Sequence, residues 1–268
     1  MSVMTKFCAY LMLMSLHILT VQADDAKVER ATKLFNGRNI EGWRIISQDP
    51  AKAENLFQVT DGIIHAYPEA PDGTKQPFGY LVTLAEYSNF RLSLQYKWGT
   101  KKFRPRAERD SVRDAGVAFH VRGPDDVWPA MVECQIQEGD TGDAWIVHTQ
   151  ATSTVHPTDL NYAPDTKGGV EQTKGAQPGE YHRFLRSYCH EQAGWNQVEL
   201  VVCGESATYS VNGHIVNQLT RLKAWNSATG SWEPLTRGEI LLQAEGAEVF
   251  YRNITITPLE AAHPDMKQ

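Results

Sequence analysis

Polar and apolar residues alternate along most of this chain. In "FRLSLQYKW" (90–98), Phe90, Leu92, Leu94 and Tyr96 fall on one side, with Arg91, Ser93, Gln95 and Lys97 on the other. A period of two is the mark of a β-strand with one buried face. Segments of similar length recur at 115–121, 131–137, 196–202, 207–213, 239–245 and 249–259, bounded by Gly, Pro, Asn or Asp. Asn212-Gly213 between "TYSV" and "HIVNQL" predicts a tight hairpin, because a type I′ turn needs positive φ at both central residues. Helical periodicity is scarce, and only 25–35 and 180–188 suggest a short helix or turn. The stretch 149–180, rich in Thr, Gly, Pro and Asp, reads as a long surface excursion. The pattern predicts an all-β sandwich or barrel, with residues 32–260 as one domain and 261–268 as a tail.

The first 23 residues break this pattern. Lys6, the apolar run "AYLMLMSLHILTV" and Val21-Gln22-Ala23 read as an export signal cleaved after Ala23, followed by a charged lead over 24–31. The apolar run is short for a transmembrane span, and no later stretch is long enough. The expected protein is therefore periplasmic or secreted. Loss of the signal removes Cys8 and leaves Cys134, Cys189 and Cys203, of which Cys189 and Cys203 are candidates for a bridge and Cys134 for a core position. A net charge of −6 with mixed signs gives no basic footprint for nucleic acid. No nucleotide, serine-hydrolase or metal-ligand motif is evident, and no cofactor is implied, although a divalent metal is left open. Asp140 and Asp143 are acids that a cation would suit, without the full calcium-loop pattern. Asn253-Ile254-Thr255 is a glycosylation sequon.

The candidate chemistry lies in "MVECQIQEGDTGDAW" (131–145). Glu133, Gln135 and Gln137 share one strand face, opposite Val132, Cys134 and Ile136. Such a face is either solvated or the floor of a site for a polar ligand. Strict alternation sends Glu138 to the core side, and a bulge or the strand end is needed to bring it back. In "RDAGVAFHVRGPDDVW" (113–128), His120 and Arg122 share a face and are expected to converge on Glu133 from a paired strand. Trp98 and Trp145 are candidates for stacking on a sugar ring.

Three segments resemble the 3-keto-disaccharide hydrolase domain family: "LFNGRNIEGW" (34–43), "DAGVAFHVRGPDDVWPAMVECQIQEGDTGDAW" (114–145) and "LTRGEILLQAEGAEVFYRNITITPL" (235–259). The resemblance implies a concanavalin A-like jelly-roll sandwich whose concave sheet carries a carbohydrate. Glu133-x-Gln135-x-x-Glu138 is also similar to the E-x-D-x-x-E strand of laminarinase- and lichenase-type β-glucanases, with Gln135 where they have aspartate. An amide there argues against ordinary two-carboxylate hydrolysis. The family's implied chemistry instead removes the C2 proton of a 3-keto-glycoside and expels the C1 substituent, with water addition completing a net hydrolysis. Glu133 or Glu138 would be the base, and Arg122, His120 or a metal the enolate stabiliser. Gln135, Gln137 and Asp140 would bind hydroxyls. This sequence has Asp114-Ala115 where Asn-Ser is frequent in the family, and Glu138 where Asp is frequent. A non-catalytic carbohydrate-binding jelly roll and a conventional retaining β-glucanase are the alternatives.

Overall fold

The computed structural model describes residues 30–260. The signal segment, most of the charged lead and the tail 261–268 lie outside the described residues. The first strands are β1 (Thr32–Lys33), β2 (Trp43–Ser47), β3 (Phe57–Thr60), β4 (Ile63–Ala66), β5 (Gly79–Thr83) and β6 (Phe90–Lys102). Next come β7 (Asp114–Arg122), β8 (Ala130–Gln137), β9 (Ala144–Val147), β10 (Thr149–Val155), β11 (Val170–Lys174) and β12 (Tyr181–Phe184). The chain ends with β13 (Asn196–Cys203), β14 (Ser206–Val211), β15 (His214–Asn226), β16 (Ser231–Pro234), β17 (Glu239–Ala244) and β18 (Ala247–Pro258). Two short 3₁₀ turns, Pro50–Asn55 and Asp165–Lys167, are the only helical pieces among the described residues. No helix among those residues is long and apolar enough to cross a membrane.

The strands form two antiparallel sheets. One runs β11-β10-β15-β14-β13-β6-β18-β4-β3, with β1 on β18 and β16 on β15. The other runs β12-β9-β8-β7-β17-β5-β2. This is an all-β, concanavalin A-like jelly-roll sandwich. Its core lies between the sheets, where Phe90, Leu92, Leu94 and Tyr96 of β6 meet Val117 and Phe119 of β7 and Val132, Cys134 and Ile136 of β8. Alternation in β6 therefore does what the pattern predicts: each core residue removes its apolar surface from water while its neighbours face outward. The Asn212-Gly213 hairpin forms with φ of 50° and 81°, joining β14 to β15.

Two expectations fail locally. Residues 149–180 are not one excursion, because β10 pairs with β15 and β11 pairs with β10. Their Thr residues suit a pleated strand through β-branching even without an apolar stripe; Thr152 and Thr173 share a 2.7 Å hydroxyl hydrogen bond across it. The described part of 25–35 carries β1 and 180–188 carries β12, so neither is helical. Cys189 and Cys203 are both free, as is the buried Cys134.

Candidate functional site

Strand β8 lies between β7 and β9, and its register with β7 sets the site. Asp114 is opposite Gln137, Gly116 opposite Gln135, and Ala118 opposite Glu133. Opposed residues share a face, so Asp114, Glu133, Gln135 and Gln137 stand together on the outer face of the seven-stranded sheet. That face is not solvated: Glu133 and Gln135 are each only 4 % exposed. A second apolar cluster, including Val82, Ala118, Met131, Val147 and Leu241, flanks the polar residues on the same face, with Trp128 and Trp145 packed against it.

Between these walls lies a cleft of about 200 Å³ lined by Glu133, Gln135, Gln137, Asp114 and Glu245, with Trp128, Trp145, Val147, Tyr181 and Arg183 around it. Its floor is closely wired. Gln135 Nε2 donates to Asp114 Oδ1 at 2.5 Å and Gln137 Nε2 to Asp114 Oδ2 at 2.7 Å. Arg106 joins Asp114 to Glu245, pairing with the first and reaching Oε1 of the second at 2.5 Å. Each glutamine thus spends an N–H on Asp114 and keeps its carbonyl oxygen as a free acceptor.

Three carboxyl groups share this small volume with one guanidinium bonded to two of them. Burial, then Glu245 and Asp114, pushes the Glu133 carboxyl well above the usual range. Burial and Glu245 raise Asp114 in the same direction, opposed by Arg106 and by Gln137. Burial raises Glu245, again against Arg106. Low-dielectric surroundings and like charges both disfavour ionisation, so Glu133 holds a proton where an ordinary glutamate has lost it.

The structure separates the other predicted residues from this cleft. Glu138 N–H donates to the Arg113 carbonyl at 3.0 Å, so the β7–β8 ladder continues without a bulge there. Alternation then turns Glu138 to the opposite face from Glu133. It pairs with Arg113 at 2.7 Å and lines a different cleft, of about 450 Å³, with Trp98 and Glu191. Trp98 donates its indole N–H to Glu191 at 2.7 Å and is equally remote from the Glu133 floor, whereas Trp145 is in its wall.

His120 and Arg122 are corrected for another reason. The registers of β7 with both β8 and β17 shift at this point, and His120 adopts a φ of 52°. The bulge swings the imidazole into the core between Phe90 and Phe119, fully buried, and leaves Arg122 exposed. Gly238 packs against the His120 backbone, where a Cβ would stand 2.4 Å from the carbonyl carbon. Desolvation, with Arg122 nearby, lowers the imidazole to about 4, so it is neutral. Asp140 also sits outside the cleft, bound to Arg183 at 3.0 Å and Arg186 at 2.8 Å. Asp143, fully buried, pairs with the same two arginines, so guanidinium groups occupy the place where a cation was left open. Among the described residues, no three His, Cys, Asp or Glu side chains are arranged to share a metal ion.

Several cleft residues had no place in the sequence-based site. Glu245 closes "EILLQAE" in the same period as Leu241 and Gln243, so alternation alone contained its signal. Arg106 lies in the irregular segment between β6 and β7, where no period exists to reveal it. Trp128 arrives from the segment between β7 and β8, and Tyr181 and Arg183 arrive together from β12.

No curated protein matches the chain by sequence. Among solved structures, a protein of Parabacteroides distasonis ATCC 8503, provisionally called a glycosyl hydrolase, is 20% identical with a TM-score of 0.51, covering 86% of this chain and 94% of its own. A Bacillus licheniformis beta-glucanase is 13% identical, with a TM-score of 0.44 and coverages of 88% and 100%. The carbohydrate binding module CBM66 of Bacillus subtilis is 9% identical, with a TM-score of 0.46 and coverages of 81% and 95%. By sequence, residues 30–257 match the 3-keto-disaccharide hydrolase family, described as the 3-keto-alpha-glucoside-1,2-lyase-like domain, and the chain belongs to that family.

Proposed function

We propose that the protein is an exported carbohydrate-active enzyme that cleaves 3-keto-glycosides in the Glu133 cleft. The observation that carries this reading is the buried Glu133 carboxyl, held among Asp114, Glu245 and Gln135 beneath aromatic walls. A ketone at C3 acidifies the C2 hydrogen. Glu133 as carboxylate takes that proton, and the electron pair left behind forms the enolate. The enolate then collapses: the C3 carbonyl re-forms, a C1–C2 double bond forms, and the C1–O bond breaks. The departing oxygen receives the proton from Glu133, which restores the carboxylate. Addition of water, hydroxyl to C1 and hydrogen to C2, completes a net hydrolysis. One carboxyl group thus serves as base and acid in turn.

Arg183, whose guanidinium lines the cleft over Trp145 at 5.7 Å, takes the enolate-stabilising role in place of Arg122. The free Gln135 and Gln137 carbonyls accept from sugar hydroxyls. A cleft of about 200 Å³ is smaller than the roughly 300–1,000 Å³ of ordinary small-molecule sites, which fits one sugar ring rather than an oligosaccharide. The placement of Glu138 on the opposite face argues against the two-glutamate retaining mechanism, which needs both carboxyls about 5–5.5 Å apart across one bond.

The test is incubation with a glucoside and with its 3-keto derivative, following release of the aglycone. Release from the keto sugar alone is expected. Release from neither, with sugar binding retained, would replace this reading with a non-catalytic binding module, and release from the plain glucoside with a conventional glucanase. Repeating the assay with a chelator tests for a divalent metal. Export is tested by the N-terminus of the mature protein, expected at Asp24.

A further inference from the structure

Glu133 does not stand on the sheet alone. Gln243 projects from β17 on the same face and is 3 % exposed, yet neither its Nε2 nor its Oε1 has a hydrogen-bond partner. Glu133 Oε1 is likewise buried and unpartnered. Glu133 Oε1 and Gln243 Oε1 meet over Gly116, the one residue of this patch without a side chain. A Cβ at Gly116 would overlap Glu133 Oε1 and stand 2.6 Å from Gln243 Oε1. The glycine therefore supplies the space in which the two side-chain ends face each other. Buried polar groups left unpaired are costly, so two such side chains meeting at one spot mark a position built for more than packing.

We infer that Gln243 is a positioning residue that partners the Glu133 carboxyl in both of its protonation states. With Oε1 turned toward Glu133, the amide accepts the carboxylic acid proton. Turned by half a revolution, it donates Nε2–H to the carboxylate; the two ends of an amide have nearly the same shape, so the exchange needs no repacking. When Glu133 takes the proton from C2, the amide reverses with it, and it reverses again when the proton is passed on. The charge-assisted contact is the stronger of the two, so the net effect of Gln243 is to favour the carboxylate. Burial, Glu245 and Asp114 act in the opposite sense, while Gln243 lowers the pKa of Glu133. The other groups facing Glu133 leave this role open. Arg106 is committed to Asp114 and Glu245, Arg183 pairs with Asp140 and Asp143 and faces the substrate enolate, and on the core side Tyr209 reaches only the Glu133 backbone carbonyl, at 3.4 Å.

This assignment rests on the catalytic reading of Glu133, and its test separates the two. The titration of Glu133 is followed by carboxyl-carbon NMR in glutamate-labelled protein, the resonance being identified by its loss in Glu133→Gln. In Gln243→Met the midpoint is expected to rise by about one pH unit, a tenfold shift in proton affinity. The midpoint of the ascending limb of keto-glucoside turnover should move with it. An unchanged Glu133 midpoint in folded Gln243→Met overturns the assignment. If that variant does not fold, Gln243→Asn keeps an amide too short to reach: a raised midpoint supports the assignment and an unchanged one overturns it. Should the wild-type protein cleave no keto sugar, the function reading fails while the NMR titration still decides the role of Gln243.

Discussion

Glu133 and Glu138 are five residues apart on one stretch of chain and occupy opposite chemical worlds. Glu133 is buried among two further carboxyls, and its proton is held tightly. Glu138 has a 41% exposed side chain, and its hydrogen bonds to Arg113 lower its pKa. Strand parity produces the difference. An odd separation along an uninterrupted ladder sends the second side chain through to the other face, where it meets Trp98 and not the Glu133 floor. The two clefts teach that spacing between acids means little until the register of the strand beneath them is known.

The comparison is broken or sharpened first by paired amide substitutions. Glu133→Gln should reduce turnover of a 3-keto-glucoside by roughly 10²–10⁴-fold, the usual reach of general acid–base catalysis, with the folded β signal in circular dichroism intact. Glu138→Gln should leave the same rate within a few-fold. Equal losses would show that the faces are not functionally separate.

The other end of β7 offers the next largest effect. The folded state holds His120 at about 4, against about 6.5 in an unfolded chain. A lowered histidine pKa means that the unfolded state binds the extra proton first. Stability is therefore full above pH 6.5 and falls as the pH drops toward 4, by about 3 kcal/mol in total. Urea unfolding of His120→Leu between pH 7 and 4 should lack this component, and an identical pH slope would remove His120 as its source.

The sign reverses at the cleft. Glu133, Asp114 and Glu245 have raised pKa values in the fold. Their protons stabilise the folded state most below the ordinary carboxyl range, and that contribution is lost as the pH rises through their folded values. Turnover, which needs the Glu133 carboxylate, should accordingly increase with pH, with a midpoint above the usual carboxyl range; Glu138, lowered in the fold, has no part in that profile. A rate profile already flat at pH 5 would contradict it.

The smallest expected effect concerns the aromatics. Trp145→Ala should raise KM about fivefold, in line with roughly 1 kcal/mol for a lost aromatic contact, and Trp98→Ala should leave KM unchanged. Equal KM shifts would place both clefts on one substrate path.

Much of the fold was legible from residue alternation. The strands at 90–98, 131–137, 196–202 and 249–259, the Asn212-Gly213 turn and the core side of Cys134 all follow from a period of two, because a half-buried strand must divide its residues between water and core. The Glu133–Gln135–Gln137 face was legible for the same reason. Strands β10 and β11 were not, since Thr-rich segments carry no apolar stripe. His120 and Arg122 were misplaced because a bulge reverses parity without any local signal as plain as Asn-Gly.

The sequence by itself determined which residues alternate, and with them the sandwich and the polar face of β8. Only the tertiary structure decided what that face is for. It buried the face beneath Trp128 and Trp145, placed Asp114 against the two glutamines, and brought Arg106, Gln243 and Glu245 to Glu133 from distant parts of the chain. The physical reason is range: strand periodicity is a local property. The proton affinity of Glu133 depends on burial and on charges that only the packed sheet brings near it.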